Sequence, residues 1–282
     1  MSKIRQKAKA SGLSLLKGKW LQAGVIILLI LILEMGISAL DDAYRRAFNV
    51  PLDYDQIMLG QQINLSTASF IIALVFSLLT LLLVTPLEFG QKEWFWNLAE
   101  NKEPPISRVF NWFGSFRLYG KSVLLNLNIA VRSALWTILI CGVPFAMIFG
   151  AYYMEIHYSD SKYLMISLAL SLFGLLLLLG AVFLLIYVLT RYFLAVYLFV
   201  EDNTRKTNGV IKESIRISKG YRMEILKFTL SFIGWFFLRQ LSYGLLSFYV
   251  DPYYYSSSVI FSKHLIYTKR AADKADVAQN TD

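Results

Sequence analysis

Residues Leu230 to Tyr255 read LSFIGWFFLRQLSYGLLSFYVDPYYY. The stretch is too long and too apolar for an element that faces water, and it carries a single cation, Arg239. Aspartate before proline is typical of a helix start, because Asp251 can accept hydrogen bonds from free backbone N–H groups while Pro252 takes the first helical position. The stretch therefore predicts a membrane hairpin whose corner, Asp251-Pro252, lies at one face of the bilayer.

The composition of the whole chain supports a membrane protein. It has 282 residues, of which 56% are hydrophobic and only 17% charged, and its mean hydropathy is +0.51. Several apolar runs approach the roughly 20 residues that a helix needs to cross a bilayer. We therefore predict an all-α fold, a polytopic transmembrane helical bundle of about six spans, with interfacial amphipathic helices on the cytoplasmic side.

The predicted organisation is a single membrane domain over residues 1–270, followed by a polar, disordered tail over 271–282. Five spans and a re-entrant hairpin form the alternative to six. The six predicted spans cover residues 20–39, 66–84, 133–153, 163–190, 225–246 and 252–270.

The charge of the chain predicts its orientation. The formal net charge is +9, and the segment from Met1 to Lys19 has six Lys and Arg residues and no acid. Nucleic acid is one partner class for a basic protein, but in a membrane protein Lys and Arg accumulate on cytoplasmic segments. We predict no nucleic-acid partner, and both termini in the cytoplasm. The single cysteine, Cys141, excludes a disulfide framework.

Two polar segments between the spans carry amphipathic patterns. In Ser107 to Phe116, the apolar side includes Phe110 and Phe113, and Arg108 is on the opposite side. Such a helix fits the membrane interface, and packing beneath neighbouring spans fits the pattern equally. In Asn208 to Lys219, apolar residues mark one side of a helix and Lys212, Arg216 and Lys219 another. A basic amphipathic helix predicts contact with anionic head groups of the inner leaflet, with docking to a protein partner as the alternative.

Several short motifs stand in a distinctive order. They are Gly18 with Trp20, PLEFG at 86–90, LWTIL at 135–139 followed by Pro144, EDN at 201–203, ESIRISKG at 213–220, LSFIGW at 230–235, and Pro252-Tyr253. In this order the chain resembles a bacterial integral-membrane family, domain of unknown function 975. It departs from that pattern at Thr204, in place of proline, and at Phe261-Ser262, in place of a Phe-Tyr pair. The resemblance implies six spans in a bacterial plasma membrane, and it supplies no catalytic residues.

The sequence also lacks the common catalytic motifs. It has no phosphate-binding GxxxxGK[ST], no HExxH and no GxSxG. The two histidines, His157 and His264, are predicted on opposite sides of the membrane, so a histidine relay or metal centre is not expected. We predict no enzymatic activity, no catalytic residue, no cofactor and no metal site.

The most informative charges within the predicted spans are Glu34 and Arg239. Each lies about 21 Å along its helix from the inner end, at about 1.5 Å per residue, so the two charges fall at similar depth. A lone charge at that depth needs a partner or a water-filled cavity. We therefore predict an ion pair between Glu34 and Arg239, with a solute or proton pathway as the functional alternative.

Two classes of function follow. The first is a non-enzymatic accessory or regulatory membrane component that acts through a membrane-protein partner and through membrane lipids with anionic inner-leaflet head groups. The second is a small permease or lipid-handling transporter with a polar route near Glu34 and Arg239. Broken helices with polar groups at mid-depth would favour the second class.

Overall fold

The computed structural model describes residues 2–50, 67–158 and 160–279, and these residues form helices with no strand among them. The α-helices in chain order are α1 (Ser2–Leu15), α2 (Trp20–Ala47), α3 (Thr67–Leu98), α4 (Phe116–His157), α5 (Ser161–Leu189), α6 (Ala195–Glu201), α7 (Thr207–Ser218), α8 (Arg222–Leu230), α9 (Ile233–Leu241) and α10 (Ser247–Gln279). Two 3₁₀ segments, Ile106–Phe113 and Thr190–Tyr192, precede α4 and α6.

Four helices of the described chain are long and apolar enough to cross a membrane. They are α2, α3, α4 and the stretch Ser161–Glu201 that begins with α5. The most apolar windows of α4 and of Ser161–Glu201 are only 17% and 11% buried inside the protein, so this hairpin presents its apolar side chains outward. The all-helical, membrane-type fold is thereby confirmed. The four helices contain the first four predicted spans, except Ser66, which lies outside the described residues.

The second predicted span does not end at Pro86, because α3 continues to Leu98. A proline inside a helix lacks the N–H that would bond to the carbonyl four residues earlier, which here belongs to Leu82. The hydroxyl of Tyr119 donates to that carbonyl oxygen at 3.1 Å. The amide of Asn126 donates to Thr85 Oγ1 beside it, at 2.8 Å. Two side chains of α4 thus stabilise α3 where proline weakens it.

The prediction of one continuous helix over 225–246 is wrong. This stretch forms α8 and α9, two helices of nine residues each, with a break at Ser231-Phe232. At about 1.5 Å per residue, each is about 14 Å long and too short to cross a bilayer. The count of six spans therefore stays a prediction.

The hairpin corner also lies elsewhere than predicted. The chain turns at Tyr243 and Gly244, whose φ angles are 51° and 85°. Helix α10 then begins at Ser247, so Asp251 and Pro252 lie inside its second turn rather than at its start. The left-handed backbone at Gly244 is readily adopted by glycine, and this glycine supplies the turn that the Asp-Pro pair was expected to make.

Helix α10 packs in the core against α1, α2, α3, α7 and α9. Four of its serines, Ser256, Ser257, Ser258 and Ser262, are fully buried, which lets neighbouring helices approach closely. The closest approach is at Gly12 of α1, where an added Cβ would lie 2.5 Å from Ser257 Oγ. Aromatic rings fill the other side of this core, with Phe228 of α8 stacked on Phe261 at 4.3 Å between centroids.

The predicted disordered tail is helical over most of its length. Helix α10 continues without a break through residue 270 to Gln279, and only 280–282 lie outside the described residues. The helix is extended past residue 270 by ion pairs. Asp273 forms ion pairs with Lys269 at 3.0 Å and with Arg216 of α7 at 3.2 Å. These contacts give a polar segment the helical order that its composition alone does not predict.

Candidate functional site

A polar cavity of about 180 Å³ lies where α2, α3, α9 and α10 meet. Its apolar wall comes from α2, through Ile27, Ile30 and Leu31. Its polar wall consists of Glu34 of α2, Glu88 and Gln91 of α3, Arg239 of α9, and Asp251 and Tyr255 of α10. A water molecule occupies about 30 Å³ of liquid, so the cavity has room for a small hydrated ion or a small polar solute.

Asp251 is the partner of Arg239 in this cavity. Arg239 Nη1 donates to Asp251 Oδ1 at 2.7 Å. The Asp251 side chain is 11% exposed and the Arg239 side chain 38% exposed. The predicted ion pair between Glu34 and Arg239 is therefore replaced by a pair within the α9–α10 turn. The break at Ser231-Phe232 and the corner at Gly244 place Arg239 against the start of α10. Asp251 lies in this part of α10 and therefore reaches Arg239.

Glu34 is brought to the same cavity but is left without a counter-ion. No hydrogen bond or ion pair joins its carboxylate to any residue in the described part of the chain, and its side chain is exposed at the edge of the cavity. The neighbouring carboxylate of Glu88 is neutralised by Lys92, whose Nζ lies 3.0 Å away. Glu34 is thus the one cavity carboxylate, among those described, that has no paired cation.

Gln91 is the second side chain of the cavity without a partner. It is 2% exposed, it lines the cavity, and its carboxamide makes no hydrogen bond with the described residues. An amide at a mostly buried position normally has a hydrogen-bond partner, which water or a ligand can supply. Because Gln91 lines the cavity, a molecule that enters it can supply this partner.

A second, wider cleft of about 400 Å³ shares Glu34 with the cavity. Its polar lining comes from Ser38 and Asp41 of α2 and from Ser77 and Thr80 of α3. Asp41 accepts from Arg45 at 2.8 Å, so its charge is neutralised within α2. Glu34 consequently lies between the cavity and the cleft, and both are lined by residues of α2 and α3.

Sequence reasoning found two of the six polar cavity residues. Asp251 was interpreted as a helix start because it precedes proline, and Glu88, Gln91 and Tyr255 were not identified. The spacing of Glu88 and Gln91, three residues apart in a helix, places both on one side of α3. That signal was present in the sequence, but it becomes visible only when the helix is known to continue through Pro86.

The first predicted inner-leaflet segment is a 3₁₀ helix that stops at Phe113, and α4 begins at Phe116. Val109 packs in the core, while Phe110, Phe113 and Phe116 are 47%, 40% and 91% exposed. Arg108 forms an ion pair within the protein, because its Nε lies 3.0 Å from the carboxylate of Glu93. The exposed rings remain available for membrane contact.

The second predicted inner-leaflet segment is α7. Its apolar side chains Val210, Ile211 and Ile217 are fully buried in the protein core, so this helix does not insert them into lipid. Lys212 and Lys219 are exposed, whereas Arg216 pairs with Asp273 at 3.2 Å. Of the three basic residues predicted to meet head groups, two are therefore free of an acidic partner among the described residues.

No group of three or more His, Cys, Asp and Glu side chains in the described ranges lies close enough to hold a metal ion. The three cavity carboxylates are thus arranged as separate charges around a polar space.

Comparison with known proteins gives a family without a described activity. A family described as "Protein of unknown function (DUF975)" matches residues 1–269, nearly the whole chain. This match confirms the resemblance that the motif order indicated. No curated protein and no solved structure matches the sequence.

Proposed function

Since the chain belongs to the DUF975 family, whose function is unknown, we propose that it is a small, non-enzymatic permease of the bacterial plasma membrane. Its cargo is a small cation or a proton that enters the polar cavity beside Glu34. The observation that carries this proposal is that one cavity contains both a carboxylate without a counter-ion, Glu34, and a carboxamide without a hydrogen bond, Gln91, among the described residues.

The charges of the cavity favour a cation over an anion. Glu34, Glu88 and Asp251 supply three negative charges, while Arg239 and Lys92 supply two positive charges through their ion pairs. One negative charge is left, at Glu34. A cation with N–H donors can give one hydrogen bond to this carboxylate and another to the carboxamide oxygen of Gln91.

The break between α8 and α9 and the turn between α9 and α10 give further support. Transporters commonly bind their cargo beside interrupted helices, because interruption frees backbone groups and permits movement of one half against the other. Here Arg239 lies on the short helix between the break and the turn, and its partner Asp251 lies beyond the turn. A shift of α9 would alter the cavity directly.

Orientation and location belong to the same proposal. Six basic residues and no acid precede α2, which favours a cytoplasmic N-terminus by the positive-inside rule. We place both termini in the cytoplasm. A reporter that works only in the cytoplasm, fused after Asp282, is expected to be active, and an active extracellular reporter would reverse the assignment of the C-terminus.

The experiment that tests transport uses the full-length protein in sealed liposomes that contain a pH-sensitive dye. Proton flux and methylammonium uptake are each measured under an imposed gradient. Glu34→Gln and Gln91→Leu are expected to lower the faster of the two fluxes at least about 10-fold, since each removes a charge-assisted hydrogen bond worth about 1.5–3 kcal/mol.

Glu155→Gln is the matched control, because Glu155 is an exposed carboxylate near the turn between α4 and α5, far along the hairpin from the cavity. It is expected to leave the flux unchanged. The permease proposal fails when wild-type liposomes conduct neither probe faster than empty liposomes, or when both cavity variants transport at the wild-type rate.

A second candidate function is that of an accessory or regulatory membrane component. The exposed rings of Phe110, Phe113 and Phe116 and the exposed cations Lys212 and Lys219 favour contacts with a membrane-protein partner and with anionic inner-leaflet lipids. Crosslinking in native membranes followed by purification tests this candidate. A stoichiometric partner that is lost in a Lys212→Glu/Lys219→Glu variant supports it, and a single species in both samples contradicts it.

A further inference from the structure

Three arginines at the open end of the α4–α5 hairpin have no carboxylate partner in the described part of the chain. Arg132 lies on α4, Arg191 follows α5, and Arg222 begins α8. Seven other arginines of the described chain have a carboxylate oxygen within 3.4 Å. A guanidinium carries five N–H donors and is always charged, so three such groups without an acid are a concentrated source of unmatched positive charge.

Aromatic rings of α4 and α5 pack against two of these arginines. The guanidinium carbon of Arg191 lies 4.7 Å from the ring centroid of Trp136. Trp136 itself lies one helical turn after Arg132 on α4. The guanidinium carbon of Arg222 lies 6.0 Å from the centroid of Tyr187, one turn before Arg191. Packing on aromatic faces orients the planar guanidinium groups without using their N–H donors for a carboxylate.

The donors of this cluster are only partly used within the protein. The Nε atoms of Arg191 and Arg222 are buried and form no hydrogen bond in the described structure. Arg132 donates from Nε to the neutral side chain of Asn128 at 2.7 Å. No hydrogen bond with the described residues uses the Nη atoms of Arg191 or Arg222, and these atoms are not among the buried ones, so they can donate to an external acceptor.

The acidic residues of the surrounding helices are absent or engaged elsewhere. Helix α5 contains no Asp or Glu, and the single acid of α4, Glu155, lies at the other end of the hairpin. Glu213 of α7 pairs with Arg205 and Arg270. Glu224 of α8 pairs with Arg5. An anion from outside the protein is therefore the natural partner of the cluster.

The position of the cluster selects a lipid as the source of that anion. It lies where the outward-facing apolar surface of α4 and α5 ends, and Phe183, one turn before Tyr187, is 67% exposed. Acyl chains along this surface would bring the attached head group to the arginines. We propose that Arg132, Arg191 and Arg222, together with Trp136 and Tyr187, bind the phosphate of an anionic phospholipid. This site is separate from the cavity beside Glu34 and does not depend on transport.

The test is a titration of phosphatidylglycerol into the full-length protein in neutral detergent, followed by native mass spectrometry, with phosphatidylcholine titrated in parallel. The wild-type protein is expected to bind phosphatidylglycerol more tightly. An Arg191→Gln/Arg222→Gln variant is expected to lose at least about 10-fold in affinity, because charge-assisted hydrogen bonds to phosphate are lost. Arg216→Gln, which changes an exposed arginine that already pairs with Asp273, is expected to retain the wild-type affinity.

A more conservative variant separates a specific site from a folding defect. Arg191→Lys/Arg222→Lys keeps both charges but loses the bidentate geometry, so its affinity is expected to fall by less than that of the glutamine variant. The proposal is overturned when both double variants bind phosphatidylglycerol like the wild type. It is also overturned when inorganic phosphate displaces the lipid at equal concentration, since the site would then be one for free phosphate.

Discussion

Lys9 of α1 donates a hydrogen bond from Nζ to the backbone carbonyl oxygen of Ser231, at 2.9 Å, across 222 residues of sequence. Ser231 lies at the break between α8 and α9, where the carbonyls that end a helix lack an intrahelical partner. The same ammonium lies 4.2 Å from the ring centroid of Phe232. Lys9, a basic residue of the N-terminal segment, thus supplies a hydrogen-bond donor to a carbonyl at the helix break, and this break positions Arg239.

Replacing Lys9 with methionine is expected to lower the free energy of unfolding by about 1 kcal/mol, the net contribution of one hydrogen bond. The effect should be concentrated at the break, where amide hydrogen exchange of residues 231–236 should accelerate. Lys7→Met is the control, because Lys7 is exposed on the same helix and has no partner among the described residues. Equal exchange rates in both variants would show that Lys9 does not hold the break.

Gly90 is expected to be the glycine of the described chain that is least tolerant of substitution. It packs against the backbone of Val109 so closely that an added Cβ would overlap the Val109 carbonyl group. Since backbone atoms cannot move aside as a flexible side chain does, Gly90→Ala should destabilise the protein by about 1–3 kcal/mol or more. Thermal unfolding in detergent measures the effect.

Gly142 of α4 is the matched control for Gly90. It is also helical, and no atom lies within 4 Å of its added Cβ. Gly142→Ala is expected to be neutral or to stabilise by up to about 1 kcal/mol, because alanine is the better helix former. A larger loss at Gly142 than at Gly90 would contradict the close contact between α3 and the 3₁₀ segment.

Asp202 predicts a pH dependence of stability. Hydrogen bonds from Thr204 and from Arg205 lower the pKa of this carboxyl from 3.8 to about 2. A carboxyl whose folded pKa is lowered stabilises the fold fully above its unfolded pKa, and this stabilisation is lost as the pH falls toward the folded pKa. The difference in melting temperature between wild type and Asp202→Asn should therefore be constant from pH 7 to pH 5 and shrink between pH 4 and pH 2.

Asp273→Asn is a useful comparison for the pH experiment, because Asp273 also lies beside basic residues and forms ion pairs with Lys269 and Arg216. It removes an ion pair on α10 and leaves the turn at Asp202 intact. In this variant the melting temperature should still show the Asp202-dependent fall below pH 4. A stability difference for Asp202→Asn that stays constant down to pH 2 would rule out the lowered pKa.

The sequence predicted the class of fold because apolar runs of about 20 residues are a property of the local sequence alone. The four most apolar spans were accordingly placed close to their positions in the structure. The hairpin of α8, α9 and α10 was not, because its structure depends on contacts that are distant in sequence. Lys9 stabilises the break at Ser231, and close packing of Gly12 on Ser257 holds α10 in the core.

The site was predicted in part for the same reason. A charge in an apolar run is visible in the sequence, so Glu34 and Arg239 were identified, and the structure places both at one cavity. Their partners were assigned from depth along two straight helices. Once the second helix is broken and turned, depth no longer decides the pairing, and Asp251 reaches Arg239 first. Gln91 carries no charge, and its spacing from Glu88 places it on the same side of α3 only once that helix is known to continue through Pro86.

Double-mutant cycles on stability distinguish the two pairings. The cycle of Arg239→Gln with Asp251→Asn is expected to give a coupling energy of about 1–2 kcal/mol, within the range for neighbouring charged residues. The value is moderate because the Arg239 side chain is 38% exposed, and solvent screens the pair. The cycle of Arg239→Gln with Glu34→Gln should give less than about 0.5 kcal/mol, as for residues that share no contact.

The same cycles relate stability to the proposed function. Because Glu34 has no counter-ion among the described residues, Glu34→Gln removes a charge without breaking a pair, so stability should be retained while cation flux falls. Asp251→Asn leaves Arg239 unpaired beside the cavity, so it should lower the melting temperature and also repel a cation. A Glu34→Gln protein that is as destabilised as Asp251→Asn would mean that Glu34 is a structural partner after all, and the cavity would then lack its free carboxylate.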